Sequence, residues 1–368
     1  AIRRQRQMCI RDRYNVLREV HILITKKELR ARVLLIVVCL AVGLYCLYTM
    51  DKSYDPLARY PYTTDENREI LLKYFDSDDI DYLVNQHISP DKFMDFVELK
   101  DFNLKNTLYY KEAKETQDAD NEYIVNFVNR FRKNFSYESL KELLSHYSYL
   151  DLTTFYENEA VLYSDLRLVA DPTNPYVVLN QENTVYKFAP EKITSFNGIM
   201  IQSVLVEDLQ NMMDAYASVM NEQDHLTLTS GYLSYEQIMD QYVNASKEYD
   251  GVDKYMYNAG KNEQQLGYTV VFEGQDEWIH LCKEHLNEDM DYALLDEELS
   301  DEVKNRMEWL AENAYRYGFV IRYEKEQEKK TGHWYQPFVL RYVGKKMAKY
   351  MHDSYKVMEQ VSFPDELE

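Results

Sequence analysis

The sequence predicts an α+β fold: a mixed sheet domain with flanking helices, preceded by an all-helical domain and one transmembrane helix. Three observations predict it. Val33 to Met50, "VLLIVVCLAVGLYCLYTM", carries no charged residue and is long enough to cross a bilayer. Residues 61 to about 160 repeat their apolar positions at helical spacing and offer no strand pattern. Beyond residue 172, short β-branched and aromatic runs mix with helical segments in no regular βαβ order.

With 368 residues, 45% of them hydrophobic, the chain has room for two domains with real cores. Its 34 tyrosines read as packing residues with the hydroxyl in water rather than as a sugar-binding surface. Charge is uneven. Residues 1–32 hold ten of the 42 Lys/Arg and three of the 63 Asp/Glu, leaving 32 basic against 60 acidic side chains beyond the apolar span. Such a body repels polyanions, which excludes nucleic acid as a partner.

Lys26, Lys27, Arg30 and Arg32 flank one end of the span, and Tyr45 and Tyr48 lie near the other. The positive-inside rule then places residues 1–32 as a cytoplasmic tail and the domains after residue 50 outside the cell membrane. A cleaved signal sequence is the rival, but no clear small-x-small site follows the span. "MCIRDR", Met8 to Arg13, resembles a translated sequencing-adapter end, so residues 1–13 are expected to be an artefact. Cys9, Cys39 and Cys46 precede or lie in the span, and Cys282 is alone in the exported part. No disulfide framework is expected there, which suits a bacterial surface.

The exported helical domain is placed at residues 51–165. "TTDE" reads as a capping box with Thr63 answered by Glu66, and Ser89–Pro90 as a second helix start. Ile124, Phe127, Val128 and Phe131 make one apolar stripe, and a further helix is predicted over 136–147. Residues 170–362 form the mixed domain. A strand is expected at the Val177–Leu179 run, a helix over 204–221 and strands within "HLTLTSGYLS" and "YTVVF". Ser234 with Gln237 makes a capping box. Ser300 starts a helix with Val303, Met307, Leu310 and Ala314 inward, and Gly318 ends it. "FVIRY" and "FVLRY" are the last strands, before a helix over 345–360.

Four stretches of this domain, in order, are "SGYLS", "NEQQLGYTVV", "WLAENAYRYGFVIRY" and "QPFVLRYVG". Together they resemble the peptidase M15 family, the zinc D-alanyl-D-alanine carboxypeptidases of VanY type, over roughly residues 172–362. The resemblance implies an M15/hedgehog-like mixed sheet and a zinc cofactor. It puts the zinc ligands at Gln264, Val271 and Val339, the general base at Gln336 and a substrate-binding arginine at Leu233. None of these five residues can do that work. Zinc needs imidazole, thiolate or carboxylate donors, and a metal-activated water needs a base to take its proton. No metal or cofactor is therefore expected. Ser230, Tyr232, Ser234, Gln237, Glu263 and Arg341 match the family pattern and are expected around the binding cleft.

His280, Cys282 and His285 offer a small alternative metal cluster, but on a helix only Cys282 and His285 share a face. His225 and His333 read as isolated strand or loop residues. The sequence thus predicts a single-pass membrane protein with a catalytically silent carboxypeptidase-like domain that binds or scaffolds at the cell wall. Its expected partners are peptidoglycan stem peptides or wall enzymes. An active D,D-carboxypeptidase with an unrecognised metal site is the alternative, and a structural spacer the third reading. If the fold is kept, Gln264, Val271 and Val339 converge on one point, with Leu233 and Gln336 bordering it.

Overall fold

The computed structural model describes residues 26–220, 224–285, 292, 295 and 298–363. The adapter-like stretch, Cys9 and most of the expected cytoplasmic tail lie outside the described residues. The packing divides the chain into two compact units, residues 1–90 and 91–368. The sequence instead places domains at 51–165 and 170–362.

Among the described residues, the first unit holds three helices: α1 (Lys26–Ser53), α2 (Asp65–Tyr74) and α3 (Ser77–Asn85). α1 is long and apolar enough to cross a membrane, and none of its residues is buried against protein. The capping box of α2 sits one residue later than its sequence suggests. Thr64 is the N-cap and accepts from Asn67 N, while Asn67 Oδ1 accepts from Thr64 N. Asp76 caps α3 in the same reciprocal way with Asp79. Beneath them, Leu71, Ile80, Leu83 and Ile88 are buried, and Tyr60 OH donates to the Ile88 carbonyl at 2.7 Å.

The second unit opens with helices. Ser89–Pro90 starts only a 3-10 turn, Pro90–Lys92. α4 (Thr107–Thr116), α5 (Asn121–Phe131), α6 (Tyr137–His146) and α7 (Tyr149–Thr154) follow, and a π-turn leads into α8 (Ala160–Leu162). The α5 stripe Ile124, Phe127, Val128 and Phe131 is buried, as its spacing predicts. One apolar cluster runs without a break from Phe96 through these helices to Tyr342 in the last strand.

β1 (Arg167–Leu168) and β2 (Asn183–Thr184) form a two-residue parallel pair. The Val177–Leu179 run between them is not a strand. Its backbone bonds to side chains instead: Arg341 donates to the Pro175 and Val177 carbonyls, and Leu179 N donates to Glu263. β3 (Ile193–Phe196) and β4 (Ile199–Gln202) make an antiparallel hairpin that the sequence reading missed. Its signal was present, since Asn197 and Gly198 both take positive φ in the two-residue turn.

α9 (Val206–Val219) leads to a four-stranded antiparallel sheet in the order β5-β6-β8-β7. The strands are β5 (Leu228–Ser230), β6 (Thr269–Phe272), β7 (Phe319–Tyr323) and β8 (Gln336–Tyr342). Between them lie α10 (Tyr235–Glu248), α11 (Gln275–His285), α12 (Asp301–Asn313) and α13 (Glu328–Thr331); α11 and α12 pack against β8. Gly318 ends the α12 segment at φ +87°, a conformation that favours glycine. The last helix, α14 (Lys345–Ser354), is shorter than predicted. Tyr355 turns left-handed, and a 3-10 turn at Met358–Gln360 follows.

Candidate functional site

The central strands set the geometry. β6 pairs with both β5 and β8, so Val271 lies opposite Ser230 on one side and Val339 on the other. Gly231 lets the chain leave β5 tightly over β4. A Cβ there would sit 2.5 Å from the Met200 carbonyl oxygen, and Tyr232 N donates to that same oxygen. A 3-10 turn, Glu263–Leu266, then carries Gln264 to this strand end, and Leu233 N donates to the Gln264 carbonyl at 3.4 Å.

These elements surround one cavity of about 650 Å³. Leu233, Gln264, Val271, Gln336 and Val339 all line it, with Ser230, Glu263 and Thr269. Residues 75 positions apart, Gln264 and Val339, are thereby brought to a common wall. The remaining residues expected around the cleft stand elsewhere. Ser234 and Gln237 cap α10: Ser234 Oγ accepts from Gln237 N, and Gln237 Oε1 accepts from Ser234 N. Arg341 is fully buried and bound to loop carbonyls, and Tyr232 is half-buried outside the cavity lining. Their sequence match reflects capping and packing.

The amides at the key positions are occupied within the protein. Gln264 Nε2 donates to Ser230 Oγ at 2.7 Å and to the Gly231 carbonyl at 3.0 Å. Gln336 Nε2 donates to the Tyr255 carbonyl at 3.0 Å, and Gln336 Oε1 accepts from Gln275 Nε2 at 2.9 Å. Such a glutamine braces the wall and cannot accept a proton from water at neutral pH. A zinc ion does not fit this donor set, because valine has no lone pair to give and a neutral carboxamide is a weak ligand. Among the described residues no group of three or more His, Cys, Asp or Glu is placed to hold a metal. The His280–Cys282–His285 cluster disperses, and Cys282 and His285 do not share the face that the helical spacing suggests. Cys282 points into the apolar core, where burial pushes its thiol up to about 12, whereas His280 and His285 face solvent.

A buried ionic network that sequence reading missed starts at Glu263 on the cavity lining and continues behind the wall. Glu263 Oε1 is 2.7 Å from Arg322 Nε, and Glu263 Oε2 is 3.4 Å from Arg341 Nη1. Arg322 also makes a two-pronged pair with Glu359 at 2.7 and 3.2 Å. Two arginines inside the apolar strands "FVIRY" and "FVLRY" were the available signal, since a buried guanidinium requires acidic partners. His333, read from the sequence as an isolated residue, also lines the cavity. It stacks on Tyr323 with ring centroids 4.3 Å apart and meets Tyr257 edge-on at 3.9 Å. Burial first, and Arg322 second, drive its pKa down to about 3, so it is neutral at pH 7.

Residues 198–345 match the family model described as VanY, D-alanyl-D-alanine carboxypeptidase. YodJ of Bacillus subtilis strain 168, a provisionally named carboxypeptidase, is 30% identical over 163 residues, 44% of this chain and 52% of YodJ. A D-alanyl-D-alanine carboxypeptidase of Enterococcus faecium is 27% identical over 136 residues, 37% of this chain and 36% of its own length. The chain thus spans about half or less of the curated relatives it matches. Among solved structures, the LdcB LD-carboxypeptidase is 26% identical, covering 53% of this chain and 88% of its own, with a TM-score of 0.40. VanYB in complex with D-alanine-D-alanine is 22% identical, covering 50% and 96%, with a TM-score of 0.39. Through residues 198–345, this chain carries a domain of the VanY-type D-alanyl-D-alanine carboxypeptidase family, within peptidase M15.

Proposed function

We propose that this is a membrane-anchored, catalytically inactive D-alanyl-D-alanine carboxypeptidase-like protein that binds peptidoglycan at the cell wall. A single observation carries the reading. The five positions to which the family resemblance assigns metal, base and substrate arginine line one cavity, and they hold Leu233, Gln264, Val271, Gln336 and Val339. A wall of that composition can shape and hydrogen-bond a ligand but cannot activate water. Apolar α1 supplies the anchor, and the Lys/Arg excess beside it favours a cytoplasmic N-terminus with residues beyond about 51 outside.

The full chain in detergent, mixed with purified sacculi, tests this directly. Co-sedimentation with the sacculi, and no release of D-alanine from D-Ala-D-Ala peptides, is the expected result. Release of D-alanine at a steady rate would establish the active-enzyme alternative, and failure to sediment would leave a spacer. Protease added to intact cells reads the orientation: digestion beyond residue 51 with a protected tail agrees with it, and the reverse pattern overturns it.

A further inference from the structure

A second cavity, of about 220 Å³, lies along β7, the last strand in the sheet order, and shares no lining residue with the first. Its floor is apolar: Leu310, Ala314, Phe319, Ile321, Met351 and Val357 line it and are buried. The accessible part of the lining includes exposed Ala311, His352 and Tyr355 and half-buried Tyr315. The His352 ring stacks 3.8 Å from that of Tyr315. One carboxylate lines this space, that of half-buried Glu324.

Glu324 has no cation beside it among the described residues. Burial pushes its pKa up to about 7, opposed only by a hydrogen bond from the Lys325 backbone N–H, and no ammonium or guanidinium acts on it. The two lysines on the lining send their ammonium groups elsewhere. Lys356 Nζ donates to Tyr350 OH at 2.9 Å, and Lys325 Nζ lies 5.8 Å from the ring centroid of Tyr292. Neither tyrosine lines the cavity. Arg316, in the turn after α12, donates to Tyr315 OH at 3.3 Å. His352 Nδ1 is 3.4 Å from Asp353, which also pairs with Lys349. An ionised carboxylate against an apolar floor is costly until a cation joins it.

Two further features favour a positive guest. The C-terminal turns of α12 and α14 both line the cavity, through Leu310 and Ala311 and through Met351 and His352. A helix C-terminus carries negative partial charge. The body beyond the apolar span, with 32 basic against 60 acidic side chains, attracts cations at longer range. The volume falls below the about 300–1,000 Å³ of ordinary small-molecule sites and suits one alkyl chain with a charged end.

We propose that this cavity binds an alkylammonium group, with the apolar chain on its floor and the charged end on the Glu324 carboxylate. The site is independent of the first cavity and of whether that cavity hydrolyses.

Isothermal titration of the full chain in detergent at pH 8 tests it with three probes: Nα-acetyl-lysine N-methylamide, its norleucine counterpart and butylamine. The lysine probe is expected to bind at least about tenfold more tightly than the norleucine probe, which has the same chain without the ammonium. Its binding should weaken about tenfold from pH 8 to pH 6, as Glu324 takes up a proton. Glu324→Gln should remove both the preference and the pH dependence. Its melting temperature at pH 8 should be unchanged or higher, because the variant removes an unpaired half-buried charge. Ala311→Trp, on the exposed side of the lining, should block every probe. His352→Phe should keep the pH dependence; its loss there would move the titration to His352 and overturn the role of Glu324. Butylamine as tight as the capped lysine supports a free amine as the natural guest, and a preference of about tenfold for the capped lysine supports a peptide side chain. Equal binding of the lysine and norleucine probes overturns the proposal. So does lysine-probe affinity unchanged in Glu324→Gln or Ala311→Trp, or no binding of any probe up to about 10 mM.

Discussion

The cavity wall and the layer behind it treat charge in opposite ways. On the wall, Leu233, Gln264, Val271, Gln336 and Val339 are all neutral. Glu263, also on the lining, leads into the layer behind: it pairs with Arg322 and Arg341, and Arg322 with Glu359, both arginines being wholly inaccessible to solvent. The difference follows from what each charge would meet. The network is internally matched, two acids to two arginines, and it also binds the carbonyls of the 175–177 loop. Its charges hold the sheet to the loops around it. A further carboxylate on the wall would need a partner of its own to balance it, and without one it costs more than valine. A neutral cluster on the wall and a matched ionic network are therefore compatible in one sheet.

The comparison breaks most sharply at Glu263. Glu263→Gln leaves Arg322 and Arg341 buried with too little negative charge, and urea denaturation should show a loss of about 3–5 kcal/mol. A loss below about 1 kcal/mol would mean that the network does not hold the sheet. Reintroducing chemistry on the wall should cost less. Gln264→His/Val271→Asp/Val339→His is expected to lose about 2–3 kcal/mol without metal. It should recover that loss with zinc, read as a melting temperature that rises on zinc addition. No response to zinc would show that the three positions do not converge closely enough for one ion.

His333 gives a smaller, pH-dependent effect. Its folded pKa is about 3 against an unfolded value near 6.5, so the folded state binds fewer protons between those limits. The stability it contributes is full above about pH 6.5 and is lost as pH falls toward 3, amounting to about 2 kcal/mol at pH 5. Half-buried Glu324, pushed up to about 7 by burial, acts in the opposite sense and loses its contribution as pH rises through 7. The measurement is therefore the difference between the wild-type and His333→Phe stability curves, which should shift by about 2 kcal/mol in the variant's favour from pH 7 to 5. The smallest effect is at the α10 cap. Ser234→Ala should cost about 1 kcal/mol of stability and leave sacculus binding unchanged, because Ser234 caps a helix and does not line the cavity.

The helices were legible because their apolar spacing has one dominant period, as at Ile124–Phe131, and the sheet strands because they are short β-branched and aromatic runs, as at Phe319–Tyr323. The convergence of residues 233, 264, 271, 336 and 339 came from the family motifs, since spacing alone cannot join positions so far apart in the chain. What stayed hidden was decided by tertiary contacts. The Val177–Leu179 run has strand composition, but Arg341 and Glu263 take its backbone groups first. Tyr355 interrupts the last helix by turning left-handed, which its residue type does not announce. The β3–β4 turn was a different kind of miss. Asn197–Gly198 is a strong local signal that simply went unread.

Metal content tests the central claim most directly. The full chain, purified in detergent without chelator and dialysed against micromolar zinc, is assayed for zinc per polypeptide. The account predicts far less than one zinc per chain and a melting temperature unchanged by chelator. One tightly held zinc per chain, with a melting temperature that falls when it is removed, would contradict it.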